Sequence, residues 1–293
     1  MNTTSRAIIE KWYRKLNFPS KFDKEFYEAL NTIEISESTS IEGYNLSESD
    51  GKRNLLSFLY MCEALEKKYQ NMEIPESILI DTLEDLVRWT EIWSYLKKEL
   101  YLGQLTWVSW HMNMKLFKIG RLQFAMQKTD YHMPQFGIKP KDDIIGIHIP
   151  SGEPMTPEAC RKSLEEARVF FDRFYPEYKW EYFTCHTWLL DSTLGEILKP
   201  ESNILKFRSL FDDVSHEEPS DALLGYVFKW QSTREEVKSI TPTTSLAKKI
   251  QQRINENGVF HEAVGIIKKY LIQPYVLKNI LKMRRETISL RIS

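Results

Sequence analysis

The sequence predicts an α+β fold, with a helical N-terminal domain over residues 1–115 followed by an α/β domain over residues 116–293. Three observations predict it. Apolar residues recur at helical spacing through the first hundred positions. From about Leu116, short apolar and aromatic runs of strand length take over. Amphipathic segments lie between those runs, and strands alternating with helices imply an α/β arrangement.

In the first region, Ile8, Ile9, Trp12 and Leu16 mark one helix, with Ser5 as its expected cap. Asp50 is placed to cap "GKRNLLSFLYMCEALEKKY", where Leu55, Leu56, Leu59, Cys62 and Leu65 make one stripe. Pro75-Glu76 opens a longer helix whose face carries Leu79, Leu83, Leu86, Val87 and Trp93. It is expected to stop near Leu100, with Gly103 as its left-handed cap. The polar, turn-rich "ISESTSIEGYNLSESDG" reads as a loop. "LTWVSWHMNM" fits two structures: Val108, Trp110, Met112 and Met114 alternate as in a strand, and a helix fits as well.

In the second region the strand candidates are "KLFKIGRLQFAMQK" with Gly120 inside it, "DDIIGIHIP", "YFTCHTWLL", "ALLGYVFKW" and "HEAVGIIKKY". Helices are expected from Pro157 to Phe174, in a broken stretch from Leu194 to Phe211, and from Ser245 to Glu256.

Composition sets the outer bounds. A chain of 293 residues calls for one large or two medium domains. Forty basic residues against forty-one acidic ones give a net charge of −1, which offers no general attraction for nucleic acid. A locally basic end (Lys268, Lys269, Lys278, Lys282, Arg284, Arg285 and Arg291 against Glu286) reads as a solvated helix face or a frayed terminus. Cys62, Cys160 and Cys185 are odd in number and widely spaced, which argues against a disulfide framework and a structural zinc site. The N-terminus is amphipathic, with no apolar leader core, and no run approaches the ~18 apolar residues of a membrane span. A cytoplasmic location with no membrane contact is therefore expected, and the sequon Asn45-Leu46-Ser47 carries no weight there. His111, His132, His148, His186, His216 and His261 show no metal-ligand spacing, so no metal is expected.

The chemistry concentrates in "GIHIPSGEPMTPEACRKSLEEA". Thr156 is an N-cap type, Pro157 suits the first helical position, and Glu158 suits the positive end of the dipole. The same geometry leaves free backbone N–H groups where a phosphate can sit, and Gly152 permits close approach. Glu153 and Glu158 oppose an anion, and no basic residue precedes Arg161 and Lys162, so on the residues alone a purely structural helix start is the favoured reading of the stretch. His148, facing with Ile144, Gly146 and Pro150, is either a base in a cleft or a buried imidazole. In "FTCHTWLLD", His186 shares a face with Thr184 and Trp188, and Cys185 points the other way. Adjacent strand residues of that kind cannot form a nucleophile–base pair with each other.

"GRLQF", "IHIPSGEPMTPEACRKSLEEARVFF", "FTCHTWLLD" and "SNILKF", in this order, resemble a bacterial family of two-domain acyltransferases. Its members join a helical N-acyltransferase N-terminal domain to a GNAT-like C-terminal domain with a mixed central sheet. The resemblance implies transfer of an acyl group from acyl-CoA, or another pantetheine thioester, to an amine, with no metal. It implies that "IIGIHIP" and "YFTCHTWLL" are the two parallel strands that splay around the donor, and that the turn after the first meets its pyrophosphate. Ile149, Ser151, Gly152 and Thr156 are then the donor-binding positions, and His148 and His186 the candidates to take the amine proton. Trp107, Trp110 and Trp188 are suggested as pocket linings. The departure from the family is the turn itself, which offers Gly152 where a spaced glycine pair is usual. That loss opens a second function, a non-catalytic module that binds a ligand or a partner.

Overall fold

A computed structural model describes residues 1–38, 41, 46–230 and 232–270. Helices α1 (Thr3–Lys15), α2 (Asp23–Thr32), α3 (Gly51–Asn71), α4 (Glu76–Lys97) and α5 (Leu105–Met112) come first. Strands β1 (Leu116–Ile119), β2 (Leu122–Lys128) and β3 (Asp143–His148) follow, then α6 (Pro157–Phe174) and β4 (Tyr182–Thr187). Next come α7 (Leu194–Ile197), α8 (Asn203–Arg208), β5 (Asp213–Pro219), α9 (Ala222–Val227), α10 (Arg234–Ser239), α11 (Ser245–Asn255) and β6 (His261–Lys268). The six strands form one sheet in the order β1-β2-β3-β4-β6-β5. β3 and β4 are parallel, with α6 as the crossover that a parallel pair requires, and β6 is antiparallel to both β4 and β5. This is the α+β architecture expected: helices first, then a mixed sheet with helices.

By compactness the chain divides into two units. The first holds Met1–Ile119, Gln123–Gln127 and His148–Pro150; the second holds Gly120–Leu122, Lys128–Ile147 and the described part of Ser151–Ser293.

The first unit is built on α3. Asp50 accepts a hydrogen bond from the Arg53 amide at 3.2 Å, as its cap position anticipates. Leu55, Leu56, Leu59, Cys62 and Leu65 are buried as one stripe, and α1 packs across it with Ile9 and Trp12. The Trp12 indole N–H keeps a partner in Glu63, at 3.1 Å. In the second unit, Met133, Ile138, Val264 and Ile266 form a buried cluster edged by Tyr131, Phe136 and Tyr182. Cys160, Leu164, Ala167, Phe170 and Phe171 are the buried face of α6.

Several expectations are corrected. The cap of α1 is Asn2, whose side chain accepts from the Ser5 amide at 2.9 Å; Ser5 itself is buried inside the helix. The helix α4 ends at Lys97 and turns on Lys98, at φ +63°, with no role for Gly103 as a cap. "LTWVSWHMNM" is the helix α5. "KLFKIGRLQFAMQK" is two strands joined at Gly120-Arg121, because φ +61° at Gly120 is a turn conformation that glycine supplies. Trp188 lies past the end of β4, in a 3-10 turn over Trp188–Leu190, and so does not share the strand face of His186. "ALLGYVFKW" holds α9, not a strand: the neighbours Leu223 and Leu224 are both buried, which a helix permits and a one-sided strand does not. α2, β5 and α10 had no expectation at all. Lys278, Lys282, Arg284, Arg285, Glu286 and Arg291 of the basic end lie outside the described residues, as do Asn45 and much of the loop around it.

Candidate functional site

Strand β3 is apolar on both faces, with Ile144, Ile145 and Ile147 buried, as a central parallel strand demands. It pairs with β4 at Ile145–Phe183 and Gly146–Thr184. β4 then continues beside β6 as far as Thr187–Ala263. Among the described residues, Cys185 to Thr187 therefore have no strand partner on the β3 side. The parallel pair parts halfway along, and a stretch of β4 backbone is left with hydrogen-bonding groups to offer.

Just after β3, Ser151, Gly152, Glu153 and Pro154 form an exposed turn in which Gly152 has φ +121°. Only glycine adopts that conformation without strain. The Arg121 guanidinium steadies the turn, its Nε donating to the Glu153 carbonyl at 2.9 Å. The turn runs into α6, where the Thr156 hydroxyl accepts from the Ala159 amide at 3.2 Å and Pro157 takes the first helical position. The Glu158 amide is left without an intrahelical acceptor, at the positive end of an 18-residue helix.

A groove of about 390 Å³ opens beside this helix start, lined by Thr156, Pro157, Glu158, Arg161, Asn203, Lys206 and Ser209. Arg161 and Lys206 are exposed, and among the described residues neither has an ion-pair partner. Two unpaired cations beside one free helix-start amide favour an anion; Glu158 is the opposing charge.

The predicted residues fall in separate surroundings. Ser151, Gly152 and Thr156 lie together in the turn and cap, and Ile149, half-buried, ends the chain's passage from β3. His148 is surrounded by aromatic rings, with Trp107 at 4.7 Å and Trp110 at 6.4 Å between centroids, both edge-on. Its Nε2 is sealed from solvent and, among the described residues, has no hydrogen-bond partner. Burial is the main cause that pushes this imidazole down to about 4; Asp85 acts upward and His111 downward. His186 is exposed on β4, its ring 6.0 Å from Tyr131, which also meets His216 at 5.3 Å. Among the described residues, the ring contacts of the two histidines have no residue in common. Cys185 is fully buried, and burial raises its thiol pKa far above neutrality; Cys160 is raised to about 11 by the same cause. Neither is a ready thiolate nucleophile.

The model of the GNAT-like C-terminal domain family matches residues 116–267. The chain belongs to that family. A comparison with curated proteins gives no match. Solved structures do. An acyltransferase in complex with decanoyl-CoA and teicoplanin is 22% identical, with 88% of this chain and 87% of that chain covered at a TM-score of 0.70. An acyltransferase in complex with CoA and 10C-teicoplanin has the same identity and coverage at 0.69. A third, in complex with decanoyl-CoA, is 23% identical over 88% of this chain and 86% of that chain, also at 0.69. At these identities the likeness is one of fold.

Sequence reasoning missed Arg161 and Lys206 as a pair, because α8 was seen only as part of a broken helical stretch. It also missed Asp85 and His111. The signal for Asp85 was a carboxylate among Thr82, Leu83 and Leu86, on what is otherwise the buried side of α4.

Proposed function

We propose that this chain is an acyltransferase that takes an acyl group from acyl-CoA and delivers it to an amine acceptor. The observation that carries the reading is the parted β3–β4 pair followed at once by a capped helix start with two unpaired cations beside it. Solved acyltransferases of this fold, crystallised with CoA, decanoyl-CoA and teicoplanin, support it.

In this reading Ser151, Gly152 and the first turn of α6 receive the pyrophosphate, with Ile149 and Thr156 shaping the turn, and Arg161 and Lys206 neutralise phosphate charge. The thioester lies along the open β4 edge, whose amides polarise its carbonyl. The amine nitrogen attacks that carbon, the C–S bond breaks, and CoA leaves as the thiolate, which takes its proton from solvent. The amine loses one proton on the way. His148, neutral at physiological pH and with a free, shielded Nε2, is its acceptor. His186, exposed beside Tyr131, is placed to contact the acceptor molecule.

The test begins with binding. CoA, acetyl-CoA and decanoyl-CoA are each added in thermal unfolding, where ligand at a hundred times its Kd adds about 2.7 kcal/mol. Stabilisation that disappears in an Arg161→Ala/Lys206→Ala variant supports the donor site. Release of CoA thiol on adding an amine then completes the case. If none of the three stabilises the protein, acyl-CoA is not its donor. Binding without any turnover across a panel of amines makes it a binding module.

A further inference from the structure

The described residues of the first unit hold a polar cluster that the donor turn does not use. Asp85 of α4 is 4% exposed, and a single oxygen, Oδ2, accepts from Trp107 Nε1 at 3.0 Å and from Gln123 Nε2 at 2.7 Å. The same oxygen lies 3.1 Å from His111 Nε2. His111 is 1% exposed, and its Nδ1 lies 3.0 Å from the Trp107 carbonyl. Trp107 thus has its indole N–H fixed on the carboxylate, and its backbone carbonyl bonded to His111, which meets the same carboxylate. Its ring meets that of His148 at an interplanar angle of 74°.

We propose that Asp85 is a positioning residue for His148, acting through Trp107. The inference rests on the reading above, in which His148 takes the acceptor's proton. Two facts favour it over a merely structural network. A buried carboxylate is a poor way to gain stability, since apolar residues of similar volume do as well or better. What the carboxylate adds is direction: the indole N–H lies in the ring plane, so anchoring it stops the ring from rotating against its neighbour. Second, the network satisfies Asp85 and His111 yet leaves the Nε2 of His148 unpaired and buried. Polar groups in that state are rare in folded proteins. A ring with an empty acceptor would turn toward any partner unless its neighbours held it, and Trp107 and Trp110 are the neighbours.

The test compares Asp85→Asn, which keeps an acceptor oxygen for the indole, with Asp85→Leu, which removes it at similar volume. The first readout needs no turnover: ring 15N–1H resonances of His148 in the full-length protein labelled at histidine. They should stay in place in Asp85→Asn and move or broaden in Asp85→Leu. The second is steady-state kinetics with decanoyl-CoA. In Asp85→Leu, kcat should fall at least about tenfold with the donor KM within twofold, and Asp85→Asn should recover most of the loss. If Asp85→Leu does not fold, Asp85→Ala, which also removes the carboxylate, replaces it in both readouts. Unchanged His148 resonances in a folded Asp85→Leu protein overturn the inference, whether or not the chain transfers acyl groups. So does an Asp85→Asn variant as impaired as the variant that removes the carboxylate. A wild-type protein that ignores acyl-CoA overturns the function and leaves the resonance test standing.

Discussion

His148 couples the interior to pH in a direction opposite to that of an ordinary paired histidine. Its folded pKa is about 4, lowered chiefly by burial, against about 6.5 in the unfolded chain. Between those values the unfolded state binds more protons, so stability rises with pH across the window and is lost as the solution is acidified. From pH 7 to pH 5 this one group should cost about 2 kcal/mol of folding free energy. Asp85 and His111 are the charged or titratable groups that act on it. The pKa of Asp85 is held down to about 2: burial, the largest cause, acts upward, but hydrogen bonds from His111, Trp107 and Gln123 outweigh it. Its own loss of stability therefore falls below the window. Urea unfolding at pH 5, 6 and 7 should show a shallower pH dependence for His148→Gln than for the wild type, and equal slopes would place the imidazole in water. At this scale the sequence was half legible. It marked His148 as either a core or a catalytic imidazole, and the structure shows a half-buried ring whose Nε2 is shielded from solvent. It could not show Asp85, Trp107, His111 and Gln123 as one group, since those contacts join residues up to 38 positions apart. No periodicity records them.

Elements were legible where one physical signal decided them. α6 was read from Thr156, Pro157 and its apolar period, and runs over the expected residues. Removing the cap should cost about 1 kcal/mol in Thr156→Ala and much less in Thr156→Ser, measured by chemical denaturation. If the two substitutions cost the same, the hydroxyl is not the cap. The misreadings share a cause. "ALLGYVFKW" and "KLFKIGRLQFAMQK" are apolar runs whose structure is set by a turn or by burial on adjacent positions, not by composition. α10, by contrast, carried a signal that was available: Thr233 and Glu236 form a reciprocal capping box. In β6 the informative residue is a glycine. A Cβ at Gly265 would come within 2.7 Å of the Leu190 side chain and crowd the Phe211 ring. The sheet closes on its neighbours at that point because the strand has no side chain there. Gly265→Ala should destabilise the protein by about 1–3 kcal/mol through overpacking. Gly195→Ala, with nothing within 4 Å of the added atom, is the control.

At the scale of the whole molecule, charge decides how an anionic donor is attracted. Forty basic and forty-one acidic residues leave almost no net field to draw in a polyphosphate from a distance. Attraction in the proposed donor site must then be local, and the groove beside α6 offers Arg161 and Lys206, which have no ion-pair partner among the described residues. Exposed cations of this kind are strongly screened: the Debye length falls from about 30 Å at 0.01 M salt to about 10 Å at 0.1 M. The affinity for CoA should accordingly weaken several-fold between low and physiological salt. In Arg161→Ala/Lys206→Ala it should start weaker and vary little. Calorimetric titration of CoA at four salt concentrations measures both slopes, and desulfo-CoA separates the phosphates from the thiol. Parallel slopes in the two proteins would mean that the phosphates are held elsewhere in the chain, by backbone amides or by other cations. The turn at Gly152 would then be the start of a helix and nothing more. A lost slope with retained, weaker binding has a different meaning: the helix start supplies the directional contacts and the two side chains the charge, a division that a nearly neutral chain requires.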